Sequence, residues 1–216
     1  GARADANSGG EIEVALRAGF TPDQIVFTGV GKSDSELRRA VSLGLHAINA
    51  ESPGEIDRID AIARDAGTRA RVAVRVNPDI DAGTHSHIST GRRHDKFGVP
   101  IELAPALYRD IARKPGLVPV GVHVHVGSQI TDLAPLRRAA ESVVALAQAL
   151  RADGIAVEHV DLGGGLGIPY DDSPVVTIEQ YAHALVPIAR SSGLALLLEP
   201  GRVIVGAAGV LVATVV

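Results

Sequence analysis

The chain has 216 residues, of which 46% are hydrophobic and 21% are charged, and its formal net charge is -4 at pH 7. This composition is typical of a folded globular domain, and the length fits one domain or one large barrel. No apolar run reaches the roughly 18 residues that span a bilayer, and no basic stripe indicates nucleic acid. We therefore expect neither a membrane nor a nucleic-acid partner, and a cytoplasmic location. The absence of cysteine excludes disulfides and thiolate metal sites.

Short apolar runs alternate with helical patterns along the chain. The predicted strands are Ala2–Ala6, Ile25–Thr28, Ala47–Ala50, Val72–Val76, Val120–Val126, His159–Leu162 and Ala195–Leu198. The predicted helices are Gly10–Ala18, Asp34–Leu43, Pro53–Asp65, Pro100–Arg113, Leu133–Ala152 and Ile178–Arg190. Ser8, Ser33 and Ser52 stand just before the first three helices, where N-cap residues belong. The long irregular segment Asn77–Gly98 has the length of a functional loop.

Strands that alternate with helices form parallel sheets with right-handed crossovers. About seven such units without a reversal of order favour an α/β fold of the (β/α)8 barrel type that lacks its first strand, rather than a doubly wound sheet. We assign residues 1–202 to this partial barrel. The apolar run after Arg202 has no helical period, so we interpret 203–216 as strands that open a second, β-rich domain. A first residue other than methionine and an apolar end indicate a piece of a longer protein.

In a (β/α)8 barrel the chemistry lies at the carboxyl ends of the strands. Polar or glycine-rich motifs follow the predicted strands, among them DANSGGE at 5–11, HVHVGSQ at 123–129, DLGGGLG at 161–167 and LEPGR at 198–202. Glu199 follows an apolar run, which predicts a partly desolvated carboxylate at the barrel mouth that needs a cation or a donor. A structural ion pair with Arg75 or Arg202 is the alternative interpretation.

Two histidines and a glycine run complete the predicted mouth. His123 and His125 are two residues apart and share one face of a strand, either as a metal pair or as core or stacking rings. Ser128 and the backbone N–H groups of the run Gly163–Gly165 suit a phosphate. A carboxylate, an imidazole, an arginine and an anion cradle together favour a flat, phosphorylated, cationic heterocycle, and pyridoxal phosphate (PLP) has this shape.

Six motifs in this order resemble the diaminopimelate branch of the fold-type III PLP-dependent decarboxylases: SGGEIEVALRAGF, IVFTGVGKSDSEL, VRVNPD, HVHVGSQI, DLGGGLGIPY and EPGR. The wider group includes ornithine and arginine decarboxylases and alanine racemase. The resemblance runs through essentially all 216 residues. It implies PLP as the cofactor and an amino-acid substrate, namely meso-diaminopimelate, which loses CO2 to give L-lysine in lysine biosynthesis. It also implies a homodimer with shared active sites, with Lys96–Gly98 near the subunit interface.

The resemblance implies roles for individual residues. Glu199 would bind the pyridine nitrogen, and His125 would stack on the ring face. The phosphate would be held by Ser128, Gly163, Gly164, Gly165 and Gly201, while Arg202 would meet either the phosphate or a substrate carboxylate. Asp5 and Arg75 match polar positions near the ring and the Schiff base.

The lysines depart from the family pattern. None of Lys32, Lys96 and Lys114 matches the lysine that forms the Schiff base, so we expect this chain alone to be inactive. Three alternatives stay open: a related decarboxylase acting on ornithine, arginine or carboxynorspermidine; a non-catalytic homologue that binds PLP or a partner protein; and a metal-dependent hydrolase. The last would use His123, His125 and Glu199.

Overall fold

The structure is a computed structural model that describes residues 1–80, 97–172, 174–210 and 212–214. The strands are β1 (Ala4–Ala6), β2 (Ile25–Phe27), β3 (Ala47–Ala50), β4 (Ala70–Asn77), β5 (Val99–Pro100), β6 (Leu117–His123), β7 (His159–Asp161) and β8 (Ala195–Leu197). The helices are α1 (Gly9–Arg17), α2 (Asp34–Leu43), α3 (Pro53–Asp65), α4 (Ala104–Arg113), α5 (Leu133–Ala152), α6 (Ile178–Ser191) and α7 (Gly201–Val205). Short 3-10 turns cover Pro22–Gln24, Ile101–Leu103 and Gly206–Ala208.

The strands form one parallel sheet in the order β1-β2-β3-β4-β6-β7-β8, and β5 pairs with β4 beside this path. Spatial order follows chain order, as in a barrel, whereas a doubly wound sheet reverses its order. The first and last strands of the path lie near each other. This is shown by Asp5 on β1 and Leu197 on β8, which line the same cavity of about 650 Å³. The sheet therefore curls, and the expected α/β architecture of a partial barrel is confirmed.

Helix starts follow from local capping. The Ser33 hydroxyl accepts from the Glu36 N–H while Glu36 accepts from the Ser33 N–H, which is a complete capping box. Ser52 likewise accepts from the Glu55 N–H at the start of α3. Helices α2, α3 and α5 have the predicted bounds, since caps and apolar periodicity agree there. Their apolar faces pack into the main core around the sheet.

Two predicted elements differ from the observed ones by three residues or more, while the bounds of several others differ by one or two. The strand predicted at Val120–Val126 is β6, Leu117–His123, three residues earlier. The helix predicted from Pro100 begins only at Ala104, because Val99 and Pro100 pair with the end of β4 and a 3-10 turn follows. Residues 81–96, which make up most of the predicted long loop, lie outside the described part of the chain.

The predicted strands after Arg202 are wrong. Gly201–Val205 is helix α7, a 3-10 turn follows, and no strand is present in 203–210 or 212–214, the described residues of this segment. A short apolar run does not distinguish strand from helix by its periodicity, which is why the prediction failed. Pro200 turns the chain, and its carbonyl accepts from the Ile204 N–H to start the helix.

Within the described residues, no helix combines the length and the apolar character needed to cross a membrane.

Candidate active site

A cavity of about 420 Å³ opens at the carboxyl ends of the strands. Its lining includes six residues that the sequence predicted for the site: His125, Ser128, Gly165, Glu199, Gly201 and Arg202. These residues come from the segments after β6, β7 and β8, because the carboxyl ends of parallel strands meet at one edge of the sheet. The volume falls within the ~300–1,000 Å³ typical of small-molecule sites.

The glycine run brings three backbone segments together at this mouth. A side chain on Gly163 would overlap the Val124 carbonyl oxygen, and one on Gly164 would overlap that of Glu199. Gly165 has φ +100° and would collide with the Gly127 carbonyl. Only glycine allows such approach, so the run fixes the segments after β6 and β8 against the one after β7. The protein's own backbone thus accounts for much of the need for glycine.

Two of the three glycine N–H groups already have partners. The Gly163 N–H donates to Asp161 Oδ1 at 2.9 Å, and the Gly164 N–H donates to His125 Nδ1 at 3.2 Å. The N–H of Gly165 makes no hydrogen bond with any described residue, and Gly165 lines the cavity. Gly165 is therefore the glycine best placed to donate to an anion, and phosphate binding by all three stays a prediction.

Glu199 is held at the mouth by its backbone, whereas Oε1 of its carboxyl group is buried without a hydrogen-bond partner among the described residues. Its N–H donates to the Gly163 carbonyl at 2.8 Å. Oε1 lies 3.3 Å from His123 Nε2 without hydrogen-bond alignment, and Oε2 lies 4.0 Å from His125 Nδ1. Burial, followed by the charge of Asp5, raises the pKa of Glu199 to about 8. A buried carboxyl group with a raised pKa favours a cationic or proton-donating partner, which would stabilise its ionised form.

Asp161 and His123 form the wall behind Glu199. One ligand atom from each of His123, Asp161 and Glu199 lies within 4.8 Å of the others. Burial and the nearby charge of Glu199 raise the pKa of Asp161 to about 8. Burial lowers the pKa of His123 and takes that of His125 to about 3, so both imidazoles are neutral near pH 7. The cluster thus offers two carboxyl groups and a neutral imidazole to a cation.

Only one of the two histidines, His123, belongs to the described group of possible metal ligands. His123 ends β6 and is fully buried, whereas His125 lies beyond the strand and lines the cavity. Because His125 Nδ1 accepts the Gly164 N–H, its ring is fixed in orientation with its proton on Nε2. This fixed, neutral ring suits stacking better than ligation.

Arg202 lines the same cavity as His125. Its Nη2 donates to Ser128 Oγ at 2.9 Å, and its Nη1 donates to the Tyr170 hydroxyl. Its Nε is buried and has no hydrogen-bond partner among the described residues. Sequence reasoning missed Tyr170, although it lies inside the GGGLGIPY motif. Its ring supports the guanidinium, with 5.9 Å between the Arg202 Cζ and the ring centroid.

The remaining predicted residues stand next to this cavity. Asp5 accepts from Thr28 Oγ1 at 2.5 Å and lines the larger cavity together with Asp161 and Glu199. Arg75 is buried and pairs with Glu51 at 2.9 Å. Among the described residues, Glu199 lies within ion-pair distance of His123 and His125 but not of Arg75 or Arg202, the partners considered as the alternative. Sequence reasoning missed Glu51, whose signal was its place directly after β3.

The described lysines are occupied elsewhere. Lys32 Nζ donates to the carbonyls of Gly29 and Asn49 and pairs with Glu55 at 3.2 Å. Lys114 pairs with Asp57 and Asp110. Neither Lys32 nor Lys114 lines the cavity, and Lys96 lies outside the described residues. That none of them carries a cofactor stays a prediction.

The residues present fit PLP. Glu199, with a buried oxygen that lacks a hydrogen-bond partner, faces the cavity where a ring nitrogen would need a carboxyl group. Ser128, Arg202 and the Gly165 N–H offer a hydroxyl, a cation and a backbone donor, which is the donor set for a phosphate. The neutral ring of His125 lies on the same lining.

The curled parallel sheet and this mouth define a pyridoxal-binding barrel. Residues 1–206 match the family described as "Pyridoxal-dependent decarboxylase, pyridoxal binding domain", and the chain belongs to this family.

Its relatives make the likeness more particular. The chain is 46% identical to the diaminopimelate decarboxylase of Neisseria meningitidis serogroup A over 98% of its own length and 52% of the relative. It is 43% identical to that of Pseudomonas aeruginosa over 100% of its length and 52% of the relative. The crystal structure of Helicobacter pylori diaminopimelate decarboxylase complexed with L-lysine superposes with a TM-score of 0.91 at 40% identity, covering 94% of this chain and 51% of that one. The chain spans about half the length of the curated relatives it matches.

Proposed function

We propose that this chain is the PLP-binding barrel of a diaminopimelate decarboxylase, which converts meso-diaminopimelate to L-lysine and CO2. The observation that carries the proposal is the single cavity shared by Glu199, His125, Ser128 and Arg202. The similarity to diaminopimelate decarboxylases of two other bacteria supports the reaction. The L-lysine bound in the Helicobacter pylori structure supports the substrate class.

The residues of the cavity act on the cofactor in distinct ways. When bound, PLP supplies an electron sink for the bond that breaks as CO2 leaves. Glu199 holds a proton at its carboxyl group near neutral pH, because its pKa is raised to about 8, and this proton is available to the ring nitrogen. The resulting charge pair is the electrostatic preorganisation that stabilises developing negative charge.

The neighbouring residues bind and orient. His125 offers a ring face whose orientation is fixed by the Gly164 N–H. Ser128, Gly165 and Arg202 bind the phosphate, and Tyr170 holds the Arg202 guanidinium in place.

Asp161, buried behind Glu199, keeps a second proton in the cluster near neutral pH. Asp5 contributes negative charge that raises the pKa of Glu199 further.

The test is a product assay on the protein in its full natural length, supplied with PLP. meso-Diaminopimelate, ornithine, arginine and carboxynorspermidine are offered separately, and the amine or amino-acid product and CO2 are measured. We expect L-lysine from meso-diaminopimelate and at most trace turnover of the others. Preferred turnover of a polyamine precursor would assign the protein to another branch. PLP binding without turnover would support the non-catalytic alternative.

The metal-dependent alternative has its own observation, the cluster of His123, Asp161 and Glu199. It predicts activity that a chelator abolishes and that PLP does not affect. We expect the reverse, with activity that depends on added PLP and survives the chelator.

We also propose that the complete protein is a cytoplasmic homodimer and that its barrel domain ends near Arg202. The resemblance of Lys96–Gly98 to a subunit-interface loop supports the dimer, and Phe97 lies under the Arg75 guanidinium at 4.8 Å, close to the site. Light scattering after size-exclusion chromatography tests this assembly. A monomer with full activity would contradict shared active sites.

A further inference from the structure

Several charged residues near the mouth are buried without a part in the steps above. Lys32, Glu51, Glu55 and Arg75 are each at most 9% exposed. Two acids and two bases balance in charge, as buried ionic groups must. Their contacts form a chain that begins at Lys32, after β2, and ends at Arg75, beside the cavity.

The first half of this set anchors Glu51. Lys32 Nζ pairs with Glu55 Oε1 at 3.2 Å, and burial lowers the pKa of Lys32. Glu55 Oε2 accepts from the Glu51 N–H at 2.7 Å. Glu55 therefore does not complete a capping box with Ser52, as its spacing predicts, but fixes the backbone of Glu51 instead. Through these two contacts, Glu55 connects Lys32, which follows β2, to Glu51, which follows β3.

The second half is a clamp made by the Glu51 carboxylate. Oε1 accepts from Arg75 Nη1 at 2.9 Å, and Oε2 accepts from the Gly98 N–H at 3.0 Å. The Arg75 guanidinium lies 4.8 Å from the Phe97 ring centroid. Gly98 has φ +75°, and a Cβ there would be 2.9 Å from the Arg75 carbonyl oxygen. One carboxylate thus holds both an arginine and the turn that packs on it.

Arg75 connects Glu51 to the cavity by contacting the backbone of His125. Its second terminal nitrogen, Nη2, lies 3.5 Å from the His125 carbonyl oxygen. Removing the Glu51 charge would leave Arg75 as a buried, uncompensated cation, which strongly destabilises its present position. The orientation of Arg75, and with it the backbone of His125, depends on Glu51.

We propose that Glu51 is a positioning residue for the cofactor mouth, which holds Arg75 against the His125 backbone and fastens the Phe97–Gly98 turn across Arg75. The inference rests on the proposed function, since it takes the mouth to be the PLP site. Glu51 is not among the residues that line the cavity, and its hydrogen bonds reach the mouth through Arg75. Its charge also contributes to the raised pKa of Glu199.

The test compares Glu51→Gln with the wild type in the full-length protein. Glutamine keeps the volume and one acceptor but loses the charge, and its amide group would face the Gly98 N–H donor. PLP dissociation constants and the visible circular dichroism of the bound cofactor are measured, together with the midpoint of thermal unfolding. Glu51→Asp keeps the charge. Glu13→Gln is the matched control, because it removes a glutamate from an exposed pair with Arg39.

We expect Glu51→Gln to raise the PLP dissociation constant tenfold or more and to alter the circular dichroism of the bound cofactor. Glu51→Asp should recover part of both, and Glu13→Gln should leave both unchanged. Wild-type affinity and circular dichroism in Glu51→Gln would overturn the positioning role while leaving the proposed function intact. A wild-type protein that does not bind PLP would overturn the proposed function as well.

Should Glu51→Gln fail to fold, Gly98→Ala carries the test, since a Cβ there would press on the Arg75 carbonyl without changing any charge. We expect a weakened PLP affinity in this variant too. An unchanged affinity would contradict the clamp.

Discussion

The raised pKa of Glu199 predicts that its neutral analogue stabilises the cofactor-free protein at high pH. We consider Glu199→Gln, which keeps the shape of the side chain and cannot ionise. In the folded protein the pKa of Glu199 is about 8, against an ordinary value of 4.5. A carboxyl group whose folded pKa is raised gives stability that is present below its unfolded pKa and lost as pH rises through the folded pKa. Wild type should therefore lose stability between about pH 4.5 and 8, and the variant should lose less.

The size of the effect follows from the same shift. Between pH 5 and pH 8 the Glu199 carboxyl group is mostly ionised in the unfolded chain but mostly protonated in the folded protein. Over this range of about three pH units, the difference in bound protons lowers the unfolding free energy of the wild type by about 4 kcal/mol. The pKa of Asp161 is raised over the same range, and the two carboxylates repel each other when both are ionised. The loss of unfolding free energy therefore belongs to the pair rather than to Glu199 alone. We expect the variant to gain about 2 to 4 kcal/mol relative to wild type on going from pH 5 to pH 8.

The assay is urea unfolding of the cofactor-free, full-length protein at pH 5 and pH 8, followed by circular dichroism. Taking the difference between variant and wild type cancels the histidines that titrate in the same window. Glu141→Gln on α5 is the control, since its side chain is 55% exposed and its nearest cation, Arg137, is 3.7 Å away. A difference between Glu199→Gln and wild type that does not change with pH would refute the burial of an ionisable Glu199.

Two further substitutions test the walls of the cavity. In Gly164→Ala the new methyl group would overlap the Glu199 carbonyl, so we expect a loss of about 1–3 kcal/mol in unfolding free energy and weaker PLP binding. Gly54→Ala, where no atom lies within 4 Å, is its control and should be neutral or stabilising; equal effects would contradict the close packing of the glycine run. Arg202→Lys keeps the charge but loses the forked contacts to Ser128 and Tyr170. We expect roughly tenfold weaker PLP binding in a fluorescence titration, and unchanged affinity would exclude Arg202 from the phosphate site.

Sequence reasoning succeeded where local and global signals agree. Helices α2, α3 and α5 combine a cap with a clear apolar period, and their bounds were predicted to the residue. The convergence of His125, Ser128, Glu199 and Arg202 was predictable because parallel strands end at one edge of the sheet. The alternation of strands and helices, without reversal, gave the barrel.

What sequence reasoning missed depends on contacts between distant segments. The glycine run was assigned to an anion, whereas the carbonyls of Val124, Gly127 and Glu199 occupy the space that side chains would need. Glu51 follows β3 and contacts Arg75 on the neighbouring β4 and Gly98 just before β5, which no spacing along the chain reveals. The start of the apolar run after Arg202 is helical, because its local pattern permits either structure.

The central claim is that the cavity bounded by Glu199 and Arg202 binds PLP through both ends of the cofactor. Equilibrium titration of the cofactor-free, full-length protein with PLP and with pyridoxal, which lacks the phosphate, tests it most directly. We predict saturable PLP binding with an induced visible circular dichroism signal, pyridoxal binding at least tenfold weaker, and a reduced PLP affinity in Glu199→Ala. Absence of PLP binding, or equal affinity for PLP and pyridoxal, would contradict the account.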